Sequence, residues 1–316
     1  MDWRIKALLQ KFLSLTNIGD KINHLSVISN AKYHENVFIY QFHECLRKFS
    51  HYNLVLNKNA VALEIGTGYS IISSVLLSLM GFQKVISVDK TDDINFAAFK
   101  KQILFINQQN FIVAICEKST YSEIELTEKI ETLLTKSNFK ELFDFLNIVY
   151  LAPYNFEDID KQSLKFDYIT SQVVLEHVQP EILEVLFKKT NLWLTNVGFC
   201  VHTINFIDHF ANPGFFQDKS ISEFNFLRYS NKYWKFWAGN SIAYTNRLSY
   251  LYYLELSNKY DLSIIDFIGE NYRQRVELNP NLIHNDVINK YSFSVDINKL
   301  TKYQRGTLIL KKNKLA

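Results

Sequence analysis

The chain has 316 residues, 47% of them hydrophobic and 21% charged, with a formal net charge of +3. That supplies a large core and exceeds the length one compact domain usually needs, so one large domain with appendages, or two domains, is expected. The charge is too small and too evenly scattered to demand nucleic acid or a membrane, and three distant cysteines without a C-x-x-C pair argue against a disulfide framework or zinc knuckle and for a reducing, cytoplasmic setting.

The chain begins with "MDWRIKALLQKFLSL", where Ile5, Leu8, Leu9, Phe12 and Leu13 recur at helical spacing among Arg4, Lys6, Gln10 and Lys11. This is an amphipathic helix without the unbroken apolar run of a signal peptide, and the expected use of its stripe is to cover the core, with a place on a membrane surface as the alternative. No run approaches the roughly 18 apolar residues that a membrane span requires. Residues 1–55 read as helical, with "ENVFIYQFHECLRKF" as the second clear helix. Then "AVALEIG" reads as a strand, "YSIISSVLLSLMG" as a helix that Gly81 can end, and "KVISVD" as a second strand closing on Asp89.

A helix is expected around Asp92 to Asn107, and a polar helical stretch from Tyr121 to Phe145. "LNIVYLAP" reads as a strand, "FDYITSQVVLEHV" as a strand running into a helix, and "GFCVHTINF" as a further strand after a helix that includes Glu181 to Leu194. The alternation predicts an α/β fold with a mostly parallel, seven-stranded Rossmann-like sheet covered by helices on both faces. From about Asp208 to Lys259 the pattern gives way to an aromatic-rich insertion, "NPGFF", "FNFLRYSNKYWKFW" and "RLSYLYYLEL", expected to form a cap over a substrate pocket. The late strands "LSIIDFIG" and "RGTLILKK" are expected to complete the sheet as a pair. The organisation is therefore a helical segment, 1–55, and a main domain, 56–316, carrying the cap at about 208–259.

The stretch "VALEIGTGYS" places a glycine turn between strand and helix, where a backbone without Cβ atoms admits a ligand closely. Asp89, 23 residues after Gly66, stands near the offset at which a carboxylate meets ribose hydroxyls. The third glycine of a dinucleotide fingerprint is replaced by Ile71, which disfavours NAD, and no Gly-Lys pair of a phosphate-binding loop occurs. Glu64 before the turn favours a ligand carrying positive charge over a pyrophosphate. S-adenosylmethionine, with a sulfonium, an ammonium and an adenosine, meets these conditions.

At these residues the sequence resembles the class I S-adenosylmethionine-dependent methyltransferases. "LEIGTGYS" is similar to the family's first motif, "SVDKT" to its second-strand acid, and "FDYITSQVVLEHV" to its fourth-strand segment, in the same order and spacing. The resemblance spans about Val61 to Leu310 as a fold. It implies that Glu64, Gly66, Thr67 and Gly68 line the methionine end of the cofactor, Asp89 the ribose, and Ser171 and Gln172 the place beside the methyl group. Where many relatives place an Asp for the adenine, this chain reads "LAPYNFED", so Tyr154, Asn155 or a shifted Asp158 would serve.

Methyl transfer needs a base only when the acceptor is weakly acidic. His202, Asp208 and His209, at and after the strand "GFCVHT", are the candidates; a satisfied core histidine and a turn-capping Asp are the structural alternatives. His177, in "LEHV" beside Glu176, is expected to hold the strand-to-helix junction. The spacing of His202, Asp208 and His209 matches no strong ligand motif, so no metal site is expected. Interleaved cations and rings in "RYSNKYWKFW" could meet RNA, but a nearly neutral chain argues against nucleic acid. The resulting expectation is a methyltransferase acting on a small molecule or glycan, at oxygen. The alternative is a binding or structural protein that keeps the cofactor fold without transfer.

Overall fold

The computed structural model describes residues 1–14, 31–51, 59–211, 217–240, 244–273, 276–291 and 295–313. The "NPGFF" stretch of the expected cap lies outside them. The strands are β1 (Val61–Ile65), β2 (Lys84–Val88), β3 (Ile148–Leu151), β4 (Phe166–Gln172), β5 (Leu194–Asn205), β6 (Leu262–Glu270) and β7 (Arg305–Lys312). They form one seven-stranded sheet in the order β3-β2-β1-β4-β5-β7-β6. β1 pairs in parallel with β2 and with β4, and β2 with β3. This is the doubly wound order with the last strand inserted between β5 and β6. The expected Rossmann-like α/β architecture is the one found, and the two late strands are neighbours as expected.

Helices α1 (Trp3–Ser14) and α2 (Ala31–Phe49) precede the sheet, and α3 (Ile72–Leu79) follows the glycine turn. Every residue of β1 and of α3 is buried, as a strand covered on both faces requires. Next come α4 (Phe96–Ile103), α5 (Gln109–Cys116), α6 (Glu123–Leu134) and α7 (Phe139–Leu146). The polar stretch read as one helix from Tyr121 to Phe145 is thus two. Ser122 opens α6 with a capping box, and Asn138 accepts the Glu141 N–H at 2.9 Å to open α7. Side-chain caps of this kind let a chain restart a helix within a few residues.

The chain divides into two compact units, residues 1–25, 173–188 and 203–308 in one and 26–172, 189–202 and 309–316 in the other. The 1–55 segment of the sequence reading is shared between them, and the expected cap belongs to the first. In the second unit, Phe38 and Phe42 of α2 meet the edge of Phe111 with centroids 5.1 and 4.7 Å apart. Gly81, at φ +110°, turns the chain from α3 into β2, where a Cβ would stand 2.1 Å from the Thr120 hydroxyl.

In the first unit, Trp3 is 2% exposed and lies 5.5–5.7 Å, centroid to centroid, from Phe210, Tyr229, Trp234 and Trp237. Trp234 and Trp237 belong to the helix α10 (Asn231–Ala238), which follows α8 (Phe156–Asp160) and α9 (Pro180–Trp193) in chain order. The stripe expected to cover the core does not: Ile5, Leu9 and Phe12 are 53%, 51% and 69% exposed. Trp3 and Ala7 sit on the opposite side of the same helix and supply its packing. The aromatic insertion is mostly ring upon ring, with Tyr229 stacked on Tyr233 and Trp234 at 4.9 and 5.9 Å.

Candidate functional site

The glycine turn is held from below. The Gly66 N–H donates to the Val88 carbonyl at 2.8 Å, and the hydroxyls of Thr67 and Ser87 meet at 2.7 Å. The Ser87 hydroxyl donates in turn to the Glu64 carboxylate at 3.1 Å, which also receives the Ser74 hydroxyl of α3. Glu64 is buried, and burial raises its pKa. The sequence places Glu64 against the ligand; the structure gives its Oε2 atom to two hydroxyls beneath the turn.

The upper surface of the turn is open. Gly66 and Gly68 have φ of +82° and +62°, backbone that L side chains rarely adopt. A Cβ built on Gly68 meets nothing within 4 Å. The Gly68 N–H donates to Asp89 Oδ2 at 2.7 Å, and the Thr91 N–H reaches Oδ1 at 3.2 Å. The Asp89 carbonyl accepts the Tyr154 N–H at 3.1 Å, so the segment after β3 is tied to the acid that ends β2. Burial, with Asp89 nearby, pushes the Tyr154 phenol up to about 12, which keeps it a neutral donor. Of the adenine candidates, Asn155 and Asp158 cap α8 reciprocally at 3.0 Å, whereas the Tyr154 ring is not engaged in that cap.

At the end of β4, the Ser171 hydroxyl lies 2.7 Å from His202 Nδ1, and its carbonyl accepts Lys48 Nζ at 3.3 Å. Gln172 donates to the Tyr40 hydroxyl at 2.8 Å and to Glu44 at 2.9 Å, while its Oε1 atom is buried without a hydrogen-bond partner. Val173, a β-branched residue, follows at φ +49°, strain of a kind that persists mostly at functional positions. An unpaired buried acceptor, an open glycine surface and a carboxylate at the next strand end fit the ammonium, the chain and the ribose of S-adenosylmethionine. Apart from Val173, these residues belong to the second unit.

The three candidate bases differ in their surroundings. His202 is buried, and its Nε2 atom lies 2.8 Å from Cys200 Sγ, so both ring nitrogens are engaged inside the fold. Burial, then the Lys48 charge, lowers its pKa to about 3. Asp208, in the first unit, accepts the Phe210 N–H at 2.9 Å and Asn225 Nδ2 at 3.5 Å, the geometry of a turn cap. Burial raises its pKa to about 7.

His209, in the same unit, faces His177 with ring centroids 5.0 Å apart. Among the described residues neither of its ring nitrogens is hydrogen-bonded, and the ligating atoms of Glu176, His177 and His209 all lie within 4.8 Å of one another. Sequence reading treated Glu176 and His177 as a structural junction. The sequence signal was the adjacent Glu-His pair after β4, but its third member stands 32 residues away and only folding supplies it. The junction itself is secured by Asn246, whose Nδ2 donates to the Leu175 carbonyl at 2.8 Å and the Val178 carbonyl at 3.0 Å.

No protein-family model matches the chain, and no curated protein does. Among solved structures, it is similar to a putative S-adenosylmethionine-dependent methyltransferase from Listeria monocytogenes, at 11% identity over 87% of this chain and 98% of that one, with a TM-score of 0.42. A S-adenosylmethionine-dependent methyltransferase from Clostridium acetobutylicum is similar at 13% identity, 94% and 100% coverage and a TM-score of 0.42. Phosphoethanolamine N-methyltransferase 2 of Haemonchus contortus, solved with S-adenosyl-L-methionine, is similar at 14% identity and a TM-score of 0.40, over 86% of this chain and 53% of that one. The likenesses are weak, and the functional reading below rests on the chain's own residues.

Proposed function

We propose that this chain is a methyltransferase that uses S-adenosylmethionine and acts on a hydroxyl of a small molecule or glycan. The observation that carries the reading is the open surface of Gly68 beside Asp89, on a turn that Thr67, Ser87 and Glu64 brace from below. Gly66, Thr67 and Gly68 would hold the methionine end, Asp89 the ribose, Tyr154 the adenine side, and Ser171 and Gln172 the place beside the methyl group. When bound, the cofactor supplies an activated methyl carbon for in-line displacement by the acceptor oxygen.

The residues of the chain then act by position. Lys48 and His202 fix Ser171 from two sides, and the Tyr40 and Glu44 contacts fix Gln172, so the end of β4 is set before a ligand arrives. Such alignment, with water excluded, contributes a large share of the rate of a displacement reaction. His202 is assigned to positioning, because both its nitrogens are engaged, and Asp208 to capping its own turn. His209 lies in the other unit and is given no part in methyl transfer.

The test is calorimetry with S-adenosylhomocysteine on the purified chain, with NAD as the control ligand. Micromolar binding of the first and none of the second is expected. Absence of S-adenosylhomocysteine binding, or binding of NAD in its place, overturns the reading.

A further inference from the structure

We infer that Glu176, His177 and His209 form a binding site for a divalent first-row transition metal ion. Glu176 is 4% exposed, and neither carboxylate oxygen has a hydrogen-bond partner of ordinary geometry. A buried carboxylate is normally paired or hydrogen-bonded, because isolating it from water is costly. The backbone N–H groups of Glu176 and Asn205 offset that only in part. Two imidazoles, those of His177 and His209, bring a ring nitrogen within 4.8 Å of it.

The imidazoles are prepared as ligands. His177 Nδ1 lies 2.9 Å from the Tyr244 carbonyl, which makes Nδ1 the protonated nitrogen and leaves the Nε2 lone pair free. A ring N–H fixed on a carbonyl in this way is the usual support of a metal-bound histidine. His209 brings a second ring 5.0 Å away, centroid to centroid.

Two nitrogens and one carboxylate select zinc, iron, manganese or cobalt over calcium or magnesium, which prefer an all-oxygen shell. Metal–ligand bonds of about 2.1 Å put tetrahedral ligand atoms roughly 3.4 Å apart. The present spread, within 4.8 Å, closes by side-chain rotation. His177 is exposed, so the coordination positions left by three protein ligands are reachable from solvent, the arrangement of a catalytic rather than a structural metal. Lys6, which donates to the His209 carbonyl at 3.4 Å, and the Arg273 guanidinium add positive charge near His209. They oppose a cation and set a limit on affinity. The inference stands on these three side chains alone and does not depend on the cofactor reading.

The experiment is a titration of the full, metal-stripped chain with Co2+, followed by its visible ligand-field bands, and in parallel a thermal melt with and without Zn2+. One equivalent of Co2+ per chain is expected, weakened at least tenfold in Glu176→Gln, His177→Ala and His209→Ala, with Zn2+ raising the Tm of the wild type only. Glu176→Gln is isosteric and His177→Ala exposed, so both variants keep the fold, which an unchanged melt without metal verifies. No saturable Co2+ binding, or affinity unchanged in those two folded variants, overturns the inference. S-adenosylhomocysteine binding is read separately, so failure of one proposal is distinct from failure of the other.

Discussion

Gly68→Ala separates a glycine kept for its turn from a glycine kept for a ligand. A Cβ at Gly68 meets nothing within 4 Å, so the substitution brings no clash inside the protein; its penalty comes from φ at +62°. A left-handed conformation costs an L residue about 1–2 kcal/mol. By the usual conversion for domains of this general size, that lowers Tm by about 2–8 °C. If the space above Gly68 receives the cofactor, the methyl group also stands where the ligand approaches, and the loss appears in binding beyond the loss in stability. The measurement is a thermal melt together with calorimetry of S-adenosylhomocysteine, on the variant and the wild type. The expected outcome is the modest Tm shift with affinity reduced at least tenfold. The predicted Tm shift with wild-type affinity would refute the reasoning, because the glycine would then serve the turn alone.

Gly81→Ala is the contrasting case: a Cβ 2.1 Å from the Thr120 hydroxyl and φ of +110° should cost about 2–4 kcal/mol in denaturant unfolding, from overpacking and backbone strain together. His202→Gln tests the neutral buried imidazole. Its pKa is lowered to about 3 in the fold, so below pH 6.5 the unfolded chain binds a proton that the folded chain refuses. Stability is therefore lost as pH falls from 6.5 toward 3, by up to about 1.4 kcal/mol per unit, and the variant should show a flatter acid limb; an unchanged slope in urea titrations contradicts the assignment. Asn246→Ala removes the side-chain donor of the Val178 carbonyl, while the Leu175 carbonyl keeps the Tyr253 hydroxyl at 3.2 Å, so a loss of about 1–3 kcal/mol is expected. Trp3→Ala should cost about 3–5 kcal/mol, whereas Phe12→Ser, at an exposed position, should stay within about 0.5 kcal/mol; equal effects in the two melts would mean that the outer stripe of α1 is packed.

The sequence by itself determined the alternation of strands and helices, the glycine turn and the acid that ends β2. Each depends on local rules: apolar runs for covered strands, helical spacing for the flanking helices, and glycine where φ is positive. Those rules involve residues within a few positions of each other, and the resulting α/β sheet was legible from Val61 to the last strand. The division of Tyr121–Phe145 into two helices was less legible, because composition favoured helix throughout and the caps at Ser122 and Asn138 decided the break.

Only the tertiary structure decided how the polar groups are used. Glu64 reads as a ligand contact until Ser74 and Ser87, ten and 23 residues away, take its oxygen, and His202 reads as a base until Ser171 and Cys200 take both its nitrogens. The side of α1 that faces the protein is set by Trp3 and Ala7 rather than by the longer apolar stripe. Glu176, His177 and His209 become a cluster only when the turn after β4 and the segment after β5 are brought together. A side chain's chemistry is fixed by the partners within about 3–4 Å of it, and sequence periodicity carries no information about partners that arrive from distant parts of the chain.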